Sequence, residues 1–180
     1  MTPQTHRKRL KRFEIAGQGR YLTFSCYQRI ALLDNDAIKD RFVQQLARAQ
    51  SRGAFRLVAW VVMPNHVHLL LIPSLPDWPV PRILKAVKRP FAQHVIGRWR
   101  ELQAPILLRL HDATGVTRFW QRGGGYDRNI VSDDELWGKI EYIHANPVRS
   151  NLVDRPTDWR WSSARWYAGQ RDGVPVVDSF

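Results

Sequence analysis

The chain has 180 residues and a hydrophobic fraction of 44%, which suits one domain with a sizeable core. Its 28 Lys and Arg against 16 Asp and Glu give a formal charge of +12, which indicates a polyanionic partner, most simply nucleic acid. The single cysteine, Cys26, excludes an internal disulfide and a cysteine-rich zinc site, and no apolar run reaches the roughly 18 residues of a transmembrane helix. We therefore expect a cytoplasmic protein with no membrane association.

Residues 1–13 are predicted to form a basic arm, followed by one domain over residues 14–168 and a C-terminal tail at 169–180. The arm carries five Lys and Arg and no acidic residue, so it is either a set of phosphate contacts or a solvated tail. Within the domain, aromatic and β-branched residues at 21–27 predict the first strand. Apolar residues spaced by three and four over 34–51 predict the first helix.

Two further apolar runs predict a β-hairpin over residues 57–62 and 66–72, with residues 63–65 as its turn. A second helix is predicted from about residue 83 to about residue 95. Pro90 lies inside this helical pattern, where it removes a backbone donor and clashes with the preceding turn. We therefore expect the second helix to be kinked or split.

A fourth strand is predicted at residues 116–121, followed by a flexible joint at 123–125. Ser132 can cap a final helix, which should end near Asn146 because Pro147 disfavours helical geometry in the residue before it. The order strand, helix, strand, strand, helix, strand predicts an α+β fold, a ferredoxin-like antiparallel sheet with helices on one face. The C-terminal helix would be an addition to that arrangement.

Candidate chemistry begins with His66 and His68, which share one face of a predicted strand because side chains alternate along a strand. Neutral imidazoles can bind a divalent metal ion when a further ligand arrives from elsewhere. Tyr142 and Asn146 share one face of the final helix, whereas His144 points away. If that face meets the histidines, an amide oxygen can join the metal site and a phenol can attack a phosphodiester. Spacing alone slightly favours the alternative, in which Tyr142 packs in the core and Asn146 only terminates the helix.

Four motifs, in this order, resemble those of the single-tyrosine HUH transposases, and most closely the REP-associated tyrosine transposases. The motifs are Met63-Pro64-Asn65-His66-Val67-His68, Trp120-Gln121-Arg122-Gly123, Tyr142-Ile143-His144-Ala145-Asn146-Pro147-Val148 and Trp161-Ser162-Ser163. The resemblance extends over roughly residues 15 to 168. Several motifs in the right order are far more specific than a histidine pair.

The resemblance implies a site and an activity. His66 and His68 would bind Mg or Mn, Asn146 would be a further ligand, and Tyr142 would be the catalytic nucleophile. The implied protein is a metal-dependent endonuclease and strand transferase that acts on single-stranded or hairpin DNA through a 5′-phosphotyrosine bond. Insertion-sequence relatives usually carry Gln where Asn146 stands, so this ligand follows the repeat-associated branch.

A rival nucleophile, two other functions and the oligomeric state stay open. Tyr126 follows the glycine-rich joint, but it has Ile130 and not an amide at i+4, which favours Tyr142. One alternative function is a module that binds structured nucleic acid without catalysis, and a weaker one is a protein whose metal is structural. A monomer and a homodimer both fit the sequence.

Overall fold

A computed structural model describes residues 14–123, 125–173 and 175–178. The predicted basic arm at residues 1–13 therefore lies outside the described residues. The strands are β1 (Arg20–Ser25), β2 (Phe55–Val62), β3 (His66–Pro73) and β4 (Tyr126–Asn129). The α-helices are α1 (Asp36–Gln50), α2 (Val80–Glu101), α3 (Asp133–Arg149) and the short α4 (Ala164–Tyr167). Short 3₁₀ helices lie at Tyr27–Arg29, Pro105–Arg109 and Pro156–Asp158.

The four strands form one sheet in the order β2-β3-β1-β4, with every neighbouring pair antiparallel. Helices α1 and α2 pack on one face through a core that includes Leu22, Phe24 and Phe42. Helix α3 packs on the other face, against Tyr21 and the outward residues of β2. The predicted ferredoxin-like sheet, with two helices on one face and an added helix, is confirmed.

The fourth strand was predicted at the wrong place. Residues 116–121 form no named strand, and Trp120 makes an isolated bridge with Cys26. Phe119 and Trp120 are 2% and 8% exposed, so the aromatic residues that favoured a strand are instead buried from a loop. Tyr126–Asn129 is the strand that pairs with β1.

An ion pair and a close backbone approach accompany the pairing of β4 with β1. The guanidinium of Arg20 donates to both carboxylate oxygens of Asp127 at 2.9 and 2.6 Å, and both side chains are buried. Just before the strand, Gly125 has a φ of 75°, and a Cβ at this position would collide with the carbonyl oxygen of Thr23. The close approach therefore requires glycine.

Helix α2 is not split at Pro90 but continues from Val80 to Glu101. The missing N–H of Pro90 leaves the carbonyl of Ala86 without its usual helical donor. The side-chain amide of Gln45, on α1, donates to that carbonyl at 3.0 Å. No helix within the described ranges is long and apolar enough to cross a membrane.

Helix α3 also runs past its predicted end, through Pro147 to Arg149. Pro147 is buried, and its carbonyl accepts from Leu152 at 2.9 Å. The carbonyl of Asn146 accepts from Ser150 at 3.0 Å. These bonds satisfy carbonyls at the C-terminal end of α3. Asn146 therefore lies within the helix, one turn after Tyr142, and does not terminate it.

Candidate active site

Strand pairing places the two histidines opposite the polar residues of β1. His68 lies across from Thr23, and His66 lies across from Ser25. Both imidazoles face α3, as expected for residues two apart on a strand. Their Nε2 atoms are 3.0 Å apart. The pair therefore presents two nitrogen atoms at one point.

The other nitrogen of each imidazole is held by a neighbouring side chain. Nδ1 of His66 donates to Oδ1 of Asn65 at 2.6 Å. Nδ1 of His68 lies 2.8 Å from the Tyr21 hydroxyl and 2.8 Å from Oγ1 of Thr23. Because a hydroxyl donates or accepts, these two residues accommodate either tautomer of His68. Such outer partners fix the ring orientation of metal-binding histidines.

Burial keeps both imidazoles neutral. It lowers the pKa of His68 to about 3, and the adjacent His66 adds to this shift. Burial likewise lowers the pKa of His66, with a further contribution from the positive charge of Arg29. Neutral imidazoles retain a nitrogen lone pair at physiological pH, which is the form that binds a metal ion.

Helix α3 brings Tyr142 and Asn146 to the histidines. The ring centroid of Tyr142 lies 5.8 Å from that of His68 and 6.2 Å from that of Tyr21. Nδ2 of Asn146 donates to the backbone carbonyl of Tyr142 at 3.0 Å, and Asn146 lines the same cleft as His68. All four residues predicted from sequence line one cleft of about 440 Å³.

Tyr126 lines the same cleft. It is 43% exposed, lies opposite Thr23 on β4, and has its ring centroid 5.9 Å from that of Tyr21. It is therefore near the site, although the ring that stacks edge-on against His68 is Tyr142. The cleft thus contains three phenols, those of Tyr21, Tyr126 and Tyr142.

His144 points away from the cleft, as its helical position predicted. Its Nε2 lies 2.8 Å from Oγ of Ser163, and burial lowers its pKa to about 4. Ser163 in turn donates to the carbonyl of Trp60 on β2. The Trp161-Ser162-Ser163 motif therefore ties α3 to the edge of the sheet.

Three cations around the cleft were not predicted. Nζ of Lys139 lies 5.3 Å from the ring centroid of Tyr142, and the guanidinium carbon of Arg149 lies 5.0 Å from it. Both residues lie on the same face of α3 as Tyr142, three residues before it and seven residues after it, so helical spacing in the sequence could have predicted them. Arg29 lines the cleft from the β1 side at a φ of 56°, a conformation that is uncommon outside glycine and tends to occur at functional sites.

The donor set fits a divalent ion. Within the described ranges, no group of three or more His, Cys, Asp or Glu side chains can hold a metal ion. Such a group does not include amide side chains, and the donors here are the imidazoles of His66 and His68 and the amide oxygen of Asn146. Adjacent ligands of an octahedral ion with bonds of about 2.1 Å lie about 3 Å apart, which agrees with the 3.0 Å between the Nε2 atoms of His66 and His68.

Two curated proteins are similar to this chain. One, named REP-associated tyrosine transposase, from Escherichia coli (strain K12), is 26% identical over 109 residues, which cover 61% of this chain and 54% of that protein. The other, named putative REP-associated tyrosine transposase, from Haemophilus influenzae, is 28% identical over 111 residues, covering 61% and 58%. The chain thus spans little more than half the length of these relatives at the matched region. The predicted resemblance is confirmed.

A solved structure of a REP-associated tyrosine transposase bound to a REP hairpin is similar in fold. Its TM-score is 0.69 at 20% sequence identity, and the match covers 94% of this chain and 93% of that one. The family described as Transposase IS200 like matches residues 21–146, which include the two histidines, Tyr142 and Asn146. That range is well over half of the chain. The chain belongs to the family of IS200-like transposases.

Proposed function

We propose that this protein is a metal-dependent endonuclease and strand transferase that acts on single-stranded DNA at hairpin-forming repeats through a 5′-phosphotyrosine intermediate. The observation that carries the proposal is the convergence of Tyr142 and Asn146 with His66 and His68 in one cleft. The names of the relatives support the reaction class, and the hairpin bound by the structural neighbour supports the substrate.

The chemistry is a transfer between oxygen atoms on phosphorus. The phenol oxygen of Tyr142 attacks the scissile phosphate, and a P–O bond forms as the bond from phosphorus to O3′ breaks. The phenol proton passes to solvent, and the departing O3′ takes a proton from solvent. Attack by a 3′-hydroxyl on the phosphotyrosine reverses these events and joins two strands.

The surrounding side chains have separate parts in this reaction. Lys139 and Arg149 place positive charge beside the Tyr142 ring, which stabilises the phenolate that develops during attack. Arg29, across the cleft, can bind the phosphate oxygens. Tyr21 and Thr23 orient His68.

His66, His68 and Asn146 are the proposed ligands of Mg or Mn. When bound, such an ion supplies Lewis-acid polarisation of the phosphoryl group and neutralises charge in the transition state. The neutral state of both histidines suits this role. Because one chain provides all the proposed ligands and the nucleophile, we infer that a monomer suffices for cleavage. We also infer that the protein acts in the cytoplasm, where its DNA substrate lies.

The test is adduct formation on a hairpin oligonucleotide with a single-stranded flank, in the presence of Mg or Mn, followed on a denaturing gel. Tyr142→Phe should abolish the covalent protein–DNA band, whereas the matched variant Tyr126→Phe should retain it. A band that persists in Tyr142→Phe overturns the assignment of the nucleophile. DNA binding without cleavage, with or without Mn, would instead support a binding module without catalysis.

A further inference from the structure

A second concave surface, which we call the α2 groove, lies between α2 and residues 117–123. Its volume is about 790 Å³, larger than that of the catalytic cleft. Five cationic side chains and no acidic one line it: Lys85, Lys88, Arg89, Arg100 and Arg118. We propose that the α2 groove binds an unpaired stretch of the DNA substrate. This inference rests on the proposed function, because it assumes a DNA substrate.

The charges of the α2 groove are only partly neutralised. Arg118 forms an ion pair with Asp112 at 2.7 Å. In the part of the chain that the structure describes, Lys85, Lys88 and Arg89 form no ion pair. Three cations on one helix that form no ion pair create a positive potential that attracts phosphates.

Lys88 is the most confined of these cations. Its Nζ lies 5.1 Å from the ring centroid of Phe24 and 5.8 Å from that of Trp120. Burial lowers the pKa of Lys88, which shows that its charged form is poorly solvated. An anion in the α2 groove would restore part of the interaction that Lys88 loses on burial.

The floor of the α2 groove favours an unpaired strand over a duplex. Leu84, Ala92 and Ile96 of α2 line it together with Phe119 and Trp120. Apolar surface can cover the faces of unpaired bases, while cations at the rim contact the backbone phosphates. A duplex hides its base faces by stacking and offers mainly phosphates to such a surface. The combination of floor and rim therefore matches single-stranded DNA.

The α2 groove lies on the face of the sheet that α1 and α2 cover, and the catalytic cleft lies on the α3 face. The end of β1 is near both sites. Trp120 lines the groove, and the next residue, Gln121, donates its N–H to the carbonyl of Ser25 at 2.9 Å. The side-chain carbonyl of Gln121 accepts from the N–H of Gln28 at 3.0 Å. Ser25 and Arg29 line the catalytic cleft. In this proposal, a DNA strand passes from one face of the sheet to the other around the end of β1.

The test measures DNA binding without metal in a Tyr142→Phe background, so that no cleavage contributes. The variant Lys85→Ala with Arg89→Ala removes two exposed cations, and the control Arg48→Ala with Arg52→Ala removes two exposed cations outside the α2 groove. Fluorescence anisotropy follows a labelled hairpin with a single-stranded tail of about ten nucleotides, and the same hairpin without a tail, over a range of salt concentrations.

For the tailed hairpin, the groove variant should reduce the slope of log affinity against log salt by about 1.4, which is about 0.7 for each lost phosphate contact with a single strand. The untailed hairpin and the control variant should keep the parental slope. Equal losses in the groove and control variants would overturn the proposal, as would equal losses with and without the tail. If the wild-type chain forms no adduct but the slope still changes as expected, the groove stands and the proposed chemistry fails.

Discussion

Removing both hydroxyls that contact Nδ1 of His68 should weaken metal binding, although neither Tyr21 nor Thr23 is a proposed ligand. Each hydroxyl lies 2.8 Å from Nδ1, so either one can hold the ring when the other is lost. Tyr21→Phe or Thr23→Val alone should therefore change the affinity for Mn by less than about threefold. The double variant leaves a buried ring nitrogen without a partner, at a cost of about 1–3 kcal/mol. This corresponds to a loss of about 5- to 150-fold in affinity.

Mn binding can be measured directly by electron paramagnetic resonance of the free ion, without DNA and without turnover. His68→Ala provides the baseline for loss of a ligand, and thermal unfolding shows whether each variant is folded. The reasoning would be refuted by a folded double variant that binds Mn as the parent does. It would also be refuted if either single substitution alone produced the whole loss.

Asp127→Ala should lower the free energy of unfolding by about 3 kcal/mol in urea titrations, because it removes the two carboxylate oxygens 2.9 and 2.6 Å from the buried Arg20 guanidinium and leaves Glu14 at 3.8 Å. Arg20→Met with Asp127→Leu should recover most of that loss, and no recovery would contradict this reasoning. Burial raises the pKa of the Cys26 thiol to about 12, so iodoacetamide at pH 8 should leave the native thiol unmodified by mass spectrometry and modify it after unfolding. Rapid modification of the native protein would count against the fold. Arg29→Ala should slow adduct formation about tenfold or more at an unchanged unfolding midpoint, whereas an unchanged rate would remove Arg29 from the site.

Features set by local periodicity were predictable. The shared face of His66 and His68 follows from the two-residue repeat of a strand, and the shared face of Tyr142 and Asn146 follows from the helical repeat. The opposite direction of His144 follows from the same helical geometry. What periodicity does not supply is the docking of α3 on that face of the sheet, which depends on contacts between distant parts of the chain.

The fourth strand shows why long-range pairing escapes a local pattern. Residues 116–121 are rich in strand-forming types, but burial of Phe119 and Trp120 satisfies them without a ladder. Residues 126–129 are mostly polar, and they form a strand because Asp127 finds Arg20 across the sheet. Sequence separation hides this ion pair from any short window.

The prolines mark a second limit of local reasoning. Pro90 removes a helical donor, but Gln45 from α1 supplies the missing hydrogen bond. Such rescue by another element cannot be read from the residues next to the proline. The contacts of His68 with Tyr21 and Thr23 likewise depend on the register between β1 and β3, which is set by long-range strand pairing.

The identity of the residue joined to DNA is the most direct test of the proposed mechanism. Trypsin places Tyr142 in the peptide 140–149 and Tyr126 in the peptide 123–128, each with a single tyrosine. After reaction of the wild-type protein with a tailed hairpin and Mn, nuclease digestion and mass spectrometry should find the nucleotide on 140–149. A nucleotide on 123–128, or no modified peptide in a reaction that cleaves DNA, would contradict nucleophilic attack by Tyr142.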